Sequence, residues 1–264
     1  MHRVFWSLAF LFVLLAALRR WSWLSGVMRS PRVLAAFAAS AVLLSINWVT
    51  YIWAVGNSHV VDASLGYFMT PLLNVALGYT VLHERLRREQ WFALALAALG
   101  VIWLTLQAGQ LPWIALVLAS SFGAYGLLRK IATLGALEGL TLETLVLLPA
   151  AIAGFWYLQA SGQARFPTPD TSTNLWLLGV GPVTAVPLLL FAAGARRLSL
   201  TTLGLLQYLS PTLQFLLGVW VFREPFSPLR LLGFGLIWAA LVLYSIDGWR
   251  NSRRAPQPVL TPTV

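Results

Sequence analysis

Nine apolar segments of membrane-spanning length follow one another along the 264-residue chain. They lie near residues 4–18, 33–54, 63–82, 90–107, 111–128, 140–158, 174–194, 202–222 and 229–247, and we number them one to nine in that order. Most have about 18–22 residues, the length that an α-helix needs to cross roughly 30 Å of hydrocarbon. Stretches such as 91–105 are apolar on every face, whereas a transmembrane β-barrel needs shorter strands of alternating polarity. The pattern therefore predicts an all-α transmembrane protein, a bundle of nine helices.

Composition supports this interpretation and narrows the chemistry. Hydrophobic residues make up 59% of the chain, charged residues only 10%, and the mean hydropathy is +0.77, far from the usual mix of a soluble domain. The net charge of +10 could suggest a nucleic-acid partner, but nearly all the basic residues are arginines beside apolar segments. We therefore expect a lipid bilayer and no nucleic acid. With no cysteine and three histidines that lack ligand spacing, we also expect no metal site and no cofactor.

The basic residues divide unequally between the two sides of the predicted bundle. One side holds Arg19, Arg20, Arg29, Arg32, Arg85, Arg87, Arg88, Arg129, Lys130, Arg196, Arg197, Arg250, Arg253 and Arg254, and the other holds Arg3, Arg165, Arg223 and Arg230. Because cytoplasmic loops retain an excess of Lys and Arg, this division predicts a cytoplasmic C-terminus and an N-terminus outside. Segment one could instead be a secretory signal peptide. The arginines that follow it, and the lack of a clear cleavage site, argue against that alternative.

The two halves of the chain resemble each other at an offset near 140 residues. The matching pairs are Pro71 with Pro211, Asn74 with Gln214, Gly78 with Gly218 and Glu84 with Glu224. These pairs centre on segments three and eight, which are separated by five crossings, so the two copies enter the membrane from opposite faces. Inverted repeats of this kind are typical of transporters.

Segment five has no partner in this repeat. If the halves were once equivalent, a helix similar to 111–128 should precede Met1, so we expect a ten-helix fold that lacks its first helix. The predicted organisation is a first, incomplete repeat at 1–107, a second repeat at 111–248, and a disordered cytoplasmic tail at 249–264.

Segments three and eight each carry a proline near mid-membrane. A proline removes one backbone hydrogen bond and frees the carbonyl four residues earlier, which belongs to Tyr67 or Gln207. Asn74 and Gln214 lie three residues after Pro71 and Pro211, on the same helical face. Two bent helices could therefore present amides and free carbonyls to a substrate path. The alternative is that the prolines are ordinary helix kinks whose nearby amides bond to neighbouring helices.

Four further residues inside apolar segments could take part in chemistry. Asn47 and Tyr51 form an i, i+4 pair, and Asn47 lies deep enough to need a partner, either a substrate or another helix. Tyr125 lies beside a small-residue face of segment five. Glu143 is either an N-terminal cap of segment six, the interpretation that we favour, or a proton or cation site. Glu84 and Glu224 are expected to pair with arginines at helix ends.

The chain lacks the motifs that would indicate a membrane-bound enzyme or pump. It contains no phosphate-binding loop of the form G-x-x-x-x-G-K-[ST], no H-E-x-x-H zinc motif, and no soluble segment large enough for catalytic machinery. We therefore expect that the protein is not an enzyme.

Several motifs acquire meaning when they are taken together. They are His2-Arg3, Asn47-Trp48, Tyr51 to Val55, Ala63 to Phe68 with Pro71 and Asn74, Glu84-Arg85, Tyr125-Gly126, Glu143-Thr144, Leu147 to Pro149, Val186 to Leu188, Thr202 to Gly204, Gln207-Tyr208 and Pro211-Thr212. Across essentially the whole chain they resemble the RarD subgroup of the EamA transporters, in the drug/metabolite transporter superfamily. The resemblance implies two inverted five-helix repeats around a central cavity, and alternating access that moves small organic solutes across the bacterial inner membrane. The chain departs from the family in lacking the first helix, which should line that cavity.

These observations predict a secondary transporter or permease for a small-molecule substrate. The residues expected to line its route are Asn47, Tyr51, Tyr67, Asn74, Tyr125, Gln207, Tyr208 and Gln214, with Pro71 and Pro211 as helix breakers and Glu143 as a coupling residue or cap. Because the set is mostly uncharged, zwitterionic or amphipathic solutes suit it better than bare ions. The alternatives are an inactive or structural membrane subunit and a membrane-embedded lipid-handling protein. The oligomeric state is open, and a homodimer is among the alternatives.

Overall fold

The computed structural model describes residues 1–57, 59–108, 113–162, 170–210, 212–213 and 228–252. All regular secondary structure within these ranges is helical. The helices with described bounds are α1 (His2–Ala17), α2 (Trp23–Met28), α3 (Pro31–Gly56), α4 (Val60–Thr80), α5 (Arg88–Ala108), α6 (Trp113–Ile131), α7 (Ala136–Ala160), α8 (Thr171–Arg197), α9 (Leu200–Gln207) and α10 (Pro228–Ser252).

The prediction of an all-α transmembrane bundle is confirmed. Each of the nine apolar segments overlaps one described helix, and six helices, namely α3, α5, α6, α7, α8 and α10, are long and apolar enough to cross a membrane. The short helix α2 is additional, because the connection after segment one is itself partly helical. At the other end, α10 continues to Ser252, so residues 249–252 are helical rather than part of a disordered tail. Pro211, Gln214, Gly218 and Glu224 lie outside the described residues.

The helices group into two compact units, and each unit draws on both halves of the sequence. The first contains Met1–Val49 and Ser121–Leu200, and the second contains Thr50–Ser120 and Thr201–Val264. The division falls within α3 and α6. The predicted sequence repeats, 1–107 and 111–248, are therefore not the same as the compact units, and the repeat division stays a prediction.

In the first unit, α1 packs against α7 and α8. The Ser7 hydroxyl donates a 3.2 Å hydrogen bond to the Gly181 carbonyl of α8. A Cβ on Gly181 would collide with the backbone of Trp6, so the absence of a side chain permits this close crossing. Leu11, Leu140 and Ala185 fill the contact between the three helices.

The ends of α6 and α8 are tied together through their basic residues. The Lys130 ammonium donates to the Leu198 carbonyl at 2.5 Å, and the Arg196 guanidinium donates to the Ala132 carbonyl at 2.7 Å. Cations at helix C-termini satisfy carbonyls that have no partner within the helix and interact favourably with the helix dipole. At the opposite end of α8, Asp170 accepts from the amides of Ser172 and Thr173, and these hydrogen bonds lower the pKa of the exposed Asp170 carboxyl to about 2.

The second unit is organised around the contact between α5 and α10. A Cβ on Gly100 would lie 2.8 Å from the Gly233 carbonyl oxygen and 2.9 Å from Ile237 Cγ1. The two helices therefore approach each other almost backbone to backbone at this position. Around it lies an apolar cluster of buried residues: Phe68, Val75, Ala93, Ala97, Val101, Leu205, Tyr208, Phe234, Ile237 and Ala240.

We predict that Gly100→Ala destabilises the protein, although alanine is normally the better helix former. The added methyl meets backbone, which cannot move aside cheaply, so we expect a loss of about 1–3 kcal/mol. Gly235→Ala in α10 is the matched control, because nothing lies within 4 Å of its added Cβ. Unfolding of the purified proteins in mixed detergent should show the loss for Gly100→Ala alone. Similar stability of the two variants would contradict the close approach of α5 and α10.

Candidate functional site

A fully buried cluster of polar and charged side chains lies in the first unit. The Arg129 guanidinium and the Glu143 carboxylate approach to 3.5 Å, and each side chain is only 1% exposed. The Ser40 hydroxyl donates to Glu143 Oε1 at 2.5 Å, and the Tyr125 hydroxyl donates to Oε2 at 3.4 Å. The carboxylate of α7 therefore has partners on two other helices, Ser40 on α3 and Tyr125 and Arg129 on α6. A buried charge is tolerated only with such compensation.

The Arg129 guanidinium occupies a space made for it by residues of α3 and α7. It donates to the carbonyls of Ala136 at 3.0 Å and Gly135 at 3.4 Å, and lies 5.5 Å from the ring centroid of Phe37. A Cβ on Gly139 would collide with Nη1 of Arg129. Glycine at position 139 is thus what lets the guanidinium lie flat against the start of α7.

The interpretation of Glu143 as a helix cap is wrong. Helix α7 begins at Ala136, with Gly135 as its N-cap and Glu138 as the acidic residue of its first turn. Glu143 lies two turns inside the helix, and its carboxylate interacts with side chains of α3 and α6 instead of with the helix N-terminus. The cause of the error is that α7 starts before the apolar stretch does, so the edge of the apolar segment does not mark the helix N-terminus.

Asn47 and Trp48 of α3 make further polar contacts in the first unit. Asn47 Nδ2 donates to the Ser121 hydroxyl of α6 at 3.2 Å, which gives this amide the partner that its depth requires. The Arg3 guanidinium lies 4.8 Å from the ring centroid of Trp48. A narrow, mostly apolar cleft in this unit is lined by aliphatic side chains together with Arg3, Ser7, Trp48, Glu143, Thr144 and Thr184.

In the second unit, two amide side chains meet near Pro71 of α4. Asn74 Nδ2 donates to Gln207 Oε1 at 2.8 Å, and Asn74 is completely buried. Gly204 permits this contact, since a Cβ there would lie 2.8 Å from the Pro71 carbonyl oxygen and 2.9 Å from Asn74 Cβ. Among the residues that the structure describes, the buried Asn74 oxygen Oδ1 and Gln207 nitrogen Nε2 have no hydrogen-bond partner. Within this part of the chain, the pair thus retains one unused acceptor and one unused donor.

Three tyrosines of the predicted route also belong to the second unit. Tyr51 and Tyr67 are each 36% exposed and pack edge to face, with ring centroids 5.9 Å apart. Tyr208 is fully buried in the apolar cluster around α5 and α10, and no described residue forms a hydrogen bond with its hydroxyl.

The structure therefore places the predicted route residues in two groups. Asn47, Tyr125 and Glu143 belong to the first unit. Tyr51, Tyr67, Asn74, Gln207 and Tyr208 belong to the second, and Pro211 and Gln214 lie outside the described residues. Within the groups, the direct contacts join Tyr125 to Glu143, Tyr51 to Tyr67, and Asn74 to Gln207.

Sequence reasoning missed Arg129 and Ser40. Arg129 was counted only as a topology signal beside Lys130, at the end of segment five. Its position in the sequence was the available signal. Arg129 follows segment five directly, and the next segment carries the Glu143 carboxylate. Two adjacent segments could therefore bring the two opposite charges together.

Glu84 connects the end of α4 to the start of α9 in the second unit. Its Oε2 accepts from the Thr201 amide at 3.0 Å and from the Thr201 hydroxyl at 2.7 Å. This carboxylate therefore caps the N-terminus of α9, where the helix dipole favours a negative charge. Among the described residues, no group of three or more His, Asp or Glu side chains could hold a metal ion.

Comparisons with known proteins define the class to which this fold and these residues belong. The model of the EamA-like transporter family matches residues 1–106 and 111–246, and the chain belongs to that family. It is a multi-pass membrane protein of the transporter class.

Individual relatives narrow the assignment to a subgroup. The chain is 48% identical to the protein RarD of Streptomyces exfoliatus over 265 residues, covering 100% of this chain and 84% of that protein. It is 44% identical to the protein RarD of Escherichia coli K12, covering 96% of this chain and 86% of that protein. A solved crystal structure that is 19% identical has the same fold, with a TM-score of 0.66 over 94% of this chain and 87% of the other. The resemblance to the RarD subgroup is confirmed.

We predict that Glu143→Gln destabilises the first unit strongly. The substitution leaves the Arg129 guanidinium buried without a counter-charge, which typically costs about 3–5 kcal/mol. Glu138→Gln is the control, because its 3.5 Å ion pair to Arg20 involves a side chain that is 63% exposed, and such pairs contribute only about 0–1 kcal/mol. Unfolding in mixed detergent measures both losses. The double variant Glu143→Gln/Arg129→Met should lose less than the sum of its single changes, and strict additivity would contradict the pairing.

Proposed function

We propose that this chain is a secondary transporter that moves small organic solutes across the bacterial inner membrane by alternating access through a central cavity. The observation that carries the proposal is the buried amide pair Asn74–Gln207, which keeps an unused acceptor and an unused donor. Buried polar groups without partners are rare and costly in proteins. A solute that offers both a donor and an acceptor would satisfy these two atoms.

The character of the surrounding residues supports an uncharged or zwitterionic solute. The candidate residues of the second unit, Tyr51, Tyr67, Asn74, Gln207 and Tyr208, are uncharged, and three of the five are aromatic. Amide and aromatic side chains bind the polar and apolar parts of organic molecules, whereas bare ions need carboxylates or rings of carbonyl oxygens.

The proline at position 71 supports movement of the helix that carries Asn74. Proline removes one hydrogen bond within α4, and the helix continues on both sides of it. Discontinuous helices near the bilayer midplane are where transporters place their substrate sites. In this proposal the family's two inverted repeats correspond to residues 1–107 and 111–248.

We predict that Asn74→Ala and Gln207→Ala each lower transport at least tenfold. Loss of either amide removes one of the two groups offered to the solute and leaves its partner unpaired. Uptake and export in intact cells, with a solute library, measure the effect. The library includes chloramphenicol, because one 34% identical relative from Pseudomonas aeruginosa is named a chloramphenicol-sensitive protein.

Asn57→Ala is the matched control for this experiment. Its amide donates to the Trp53 carbonyl at the exposed end of α3, so we expect unchanged transport at equal amounts of protein in the membrane. Equal rates for wild type, Asn74→Ala and Gln207→Ala would remove the amide pair from the route. If correctly inserted protein moved no solute in the library, the structural-subunit and lipid-handling alternatives would be favoured.

We further propose that the C-terminus is cytoplasmic and the N-terminus lies outside, from the excess of basic residues on one side. The absence of cysteine allows a direct test, since single cysteines can be introduced without a background. In intact cells, a membrane-impermeant thiol reagent should label Ser161→Cys and should not label Arg85→Cys or Arg197→Cys. Labelling in the reverse pattern would invert the topology.

A further inference from the structure

We propose that the segment from Arg19 to Arg32 is a binding surface for anionic phospholipid, on the leaflet that it faces. The segment connects α1 to α3 and contains the short helix α2. Because α3 has the length of a membrane span and α1 overlaps an apolar segment, the connection lies at a surface of the bilayer. This inference rests on membrane insertion alone and does not depend on what the protein transports.

Helix α2 has one face that anchors it to the protein and another that is left open. Val27 is buried against Phe37 and Leu142, and Trp23 packs on the same cluster. One residue further round the helix, Leu24 and Met28 are 39% and 72% exposed. Residues four apart lie on one helical face, so Leu24 and Met28 together form an open apolar face. Trp21, 42% exposed, lies beside it and contacts the Phe12 ring of α1 at 5.8 Å.

Arginines flank this open face at both ends. Arg19 and Arg20 precede α2, and Arg29 and Arg32 follow it, and all four are exposed. Arg20 pairs with Glu138. Within the described part of the chain, no carboxylate lies within salt-bridge distance of Arg19, Arg29 or Arg32. Apolar and aromatic side chains that enter the interface, framed by unpaired cations, are complementary to acyl chains beneath phosphate headgroups.

The backbone at Arg19 gives a second and independent indication. Arg19 has a φ of 51°, and the Arg20 amide bonds to the Leu15 carbonyl at 3.1 Å. This is the Schellman arrangement, in which glycine is the favoured residue at the left-handed position. An arginine there is conformationally unfavourable, so its side chain has a use outside the turn.

The test reconstitutes the full-length chain in phosphatidylcholine vesicles and compares its association with an anionic and a zwitterionic lipid. Spin-labelled phosphatidylglycerol and spin-labelled phosphatidylcholine are added in turn, and electron paramagnetic resonance measures the motionally restricted fraction of each. We expect wild type to prefer phosphatidylglycerol, and the triple variant Arg19→Gln/Arg29→Gln/Arg32→Gln to lose at least fivefold of that preference, since one arginine at an anionic surface contributes about fivefold. The corresponding triple lysine variant should keep it.

Two controls separate this surface from a general effect of positive charge. Arg85→Gln/Arg88→Gln/Arg197→Gln removes three exposed arginines from other connections and should keep the preference. Arg19→Gly should reduce the preference while leaving thermal stability unchanged or raised, because glycine suits the backbone at this position. A lower stability of Arg19→Gly would show that the side chain has a structural role and would count against the proposal.

Three other results would overturn the proposal. They are the absence of any preference in wild type, an equal loss in the two glutamine triple variants, and a loss in the lysine variant. Inorganic phosphate at matched ionic strength serves as the competitor. If phosphate abolished the preference and chloride did not, the arginines would bind a free anion rather than a lipid headgroup, and the assignment to phospholipid would fail.

Discussion

The constraint on which this structure depends is that hydrocarbon offers no hydrogen bonds. Every backbone amide and carbonyl in the membrane must find a partner inside the protein, which leaves helices as the way to build nine successive apolar segments. Polar side chains follow the same rule. Asn47 bonds to Ser121, Glu84 to Thr201, and Trp103 Nε1 to the Leu229 carbonyl.

The Arg129–Glu143 pair is the most demanding case of this rule. Two charges are fully buried in one unit, and four helix-borne groups, namely Ser40, Tyr125, Gly139 and Phe37, surround them. A buried ion pair contributes little net stability. Removing one member costs free energy of folding, because it leaves the other charge buried without compensation. Such a pair therefore favours packing of those helix faces that bring the two charges together. The pair and its partners join α3, α6 and α7.

The amide pair of the second unit is one of several places where a buried polar atom has no hydrogen-bond partner among the described residues; Trp23 Nε1, Arg129 Nε and the Tyr208 hydroxyl are others. Asn74 and Gln207 satisfy each other only in part, and the remaining oxygen and nitrogen have no partner within the described part of the chain. What distinguishes the pair is that one contact leaves both an acceptor and a donor unused among the described residues. At the protein surface, Arg19 occupies a left-handed turn position that glycine would adopt more easily.

Much of the fold could be predicted from the sequence, because segment length and continuous apolarity act locally. The helices α3, α5, α7, α8 and α10 coincide with apolar segments to within a few residues. Their ends were less predictable, since hydrogen-bonded helix continues into polar residues, as α7 does at Ala136 and α10 does at Ser252. The short helix α2 has no apolar period of its own and owes its place to the packing of Val27.

Side-chain partners were the part that the sequence could not supply. The repeat led to Asn74 and Gln214 as equivalent residues, whereas the observed partner of Asn74 is Gln207. Two residues at equivalent positions of a repeat need not contact each other. Whether two side chains form a hydrogen bond depends on which helix faces pack together. In the same way, Glu143 lies near the start of an apolar segment, where a helix cap is expected, but in the folded protein it forms a buried ion pair with Arg129.

By itself, then, the sequence determined that this protein is a helical membrane protein, which family it resembles, and which polar residues lie in apolar surroundings. Those properties follow from chain composition over windows of one helix length, where the bilayer is the dominant solvent. Only the tertiary structure decided which of those polar residues satisfy one another and which keep a free donor or acceptor. Hydrogen bonds and ion pairs act over about 3–4 Å between residues far apart in the chain, so their partners are set by helix packing rather than by local pattern.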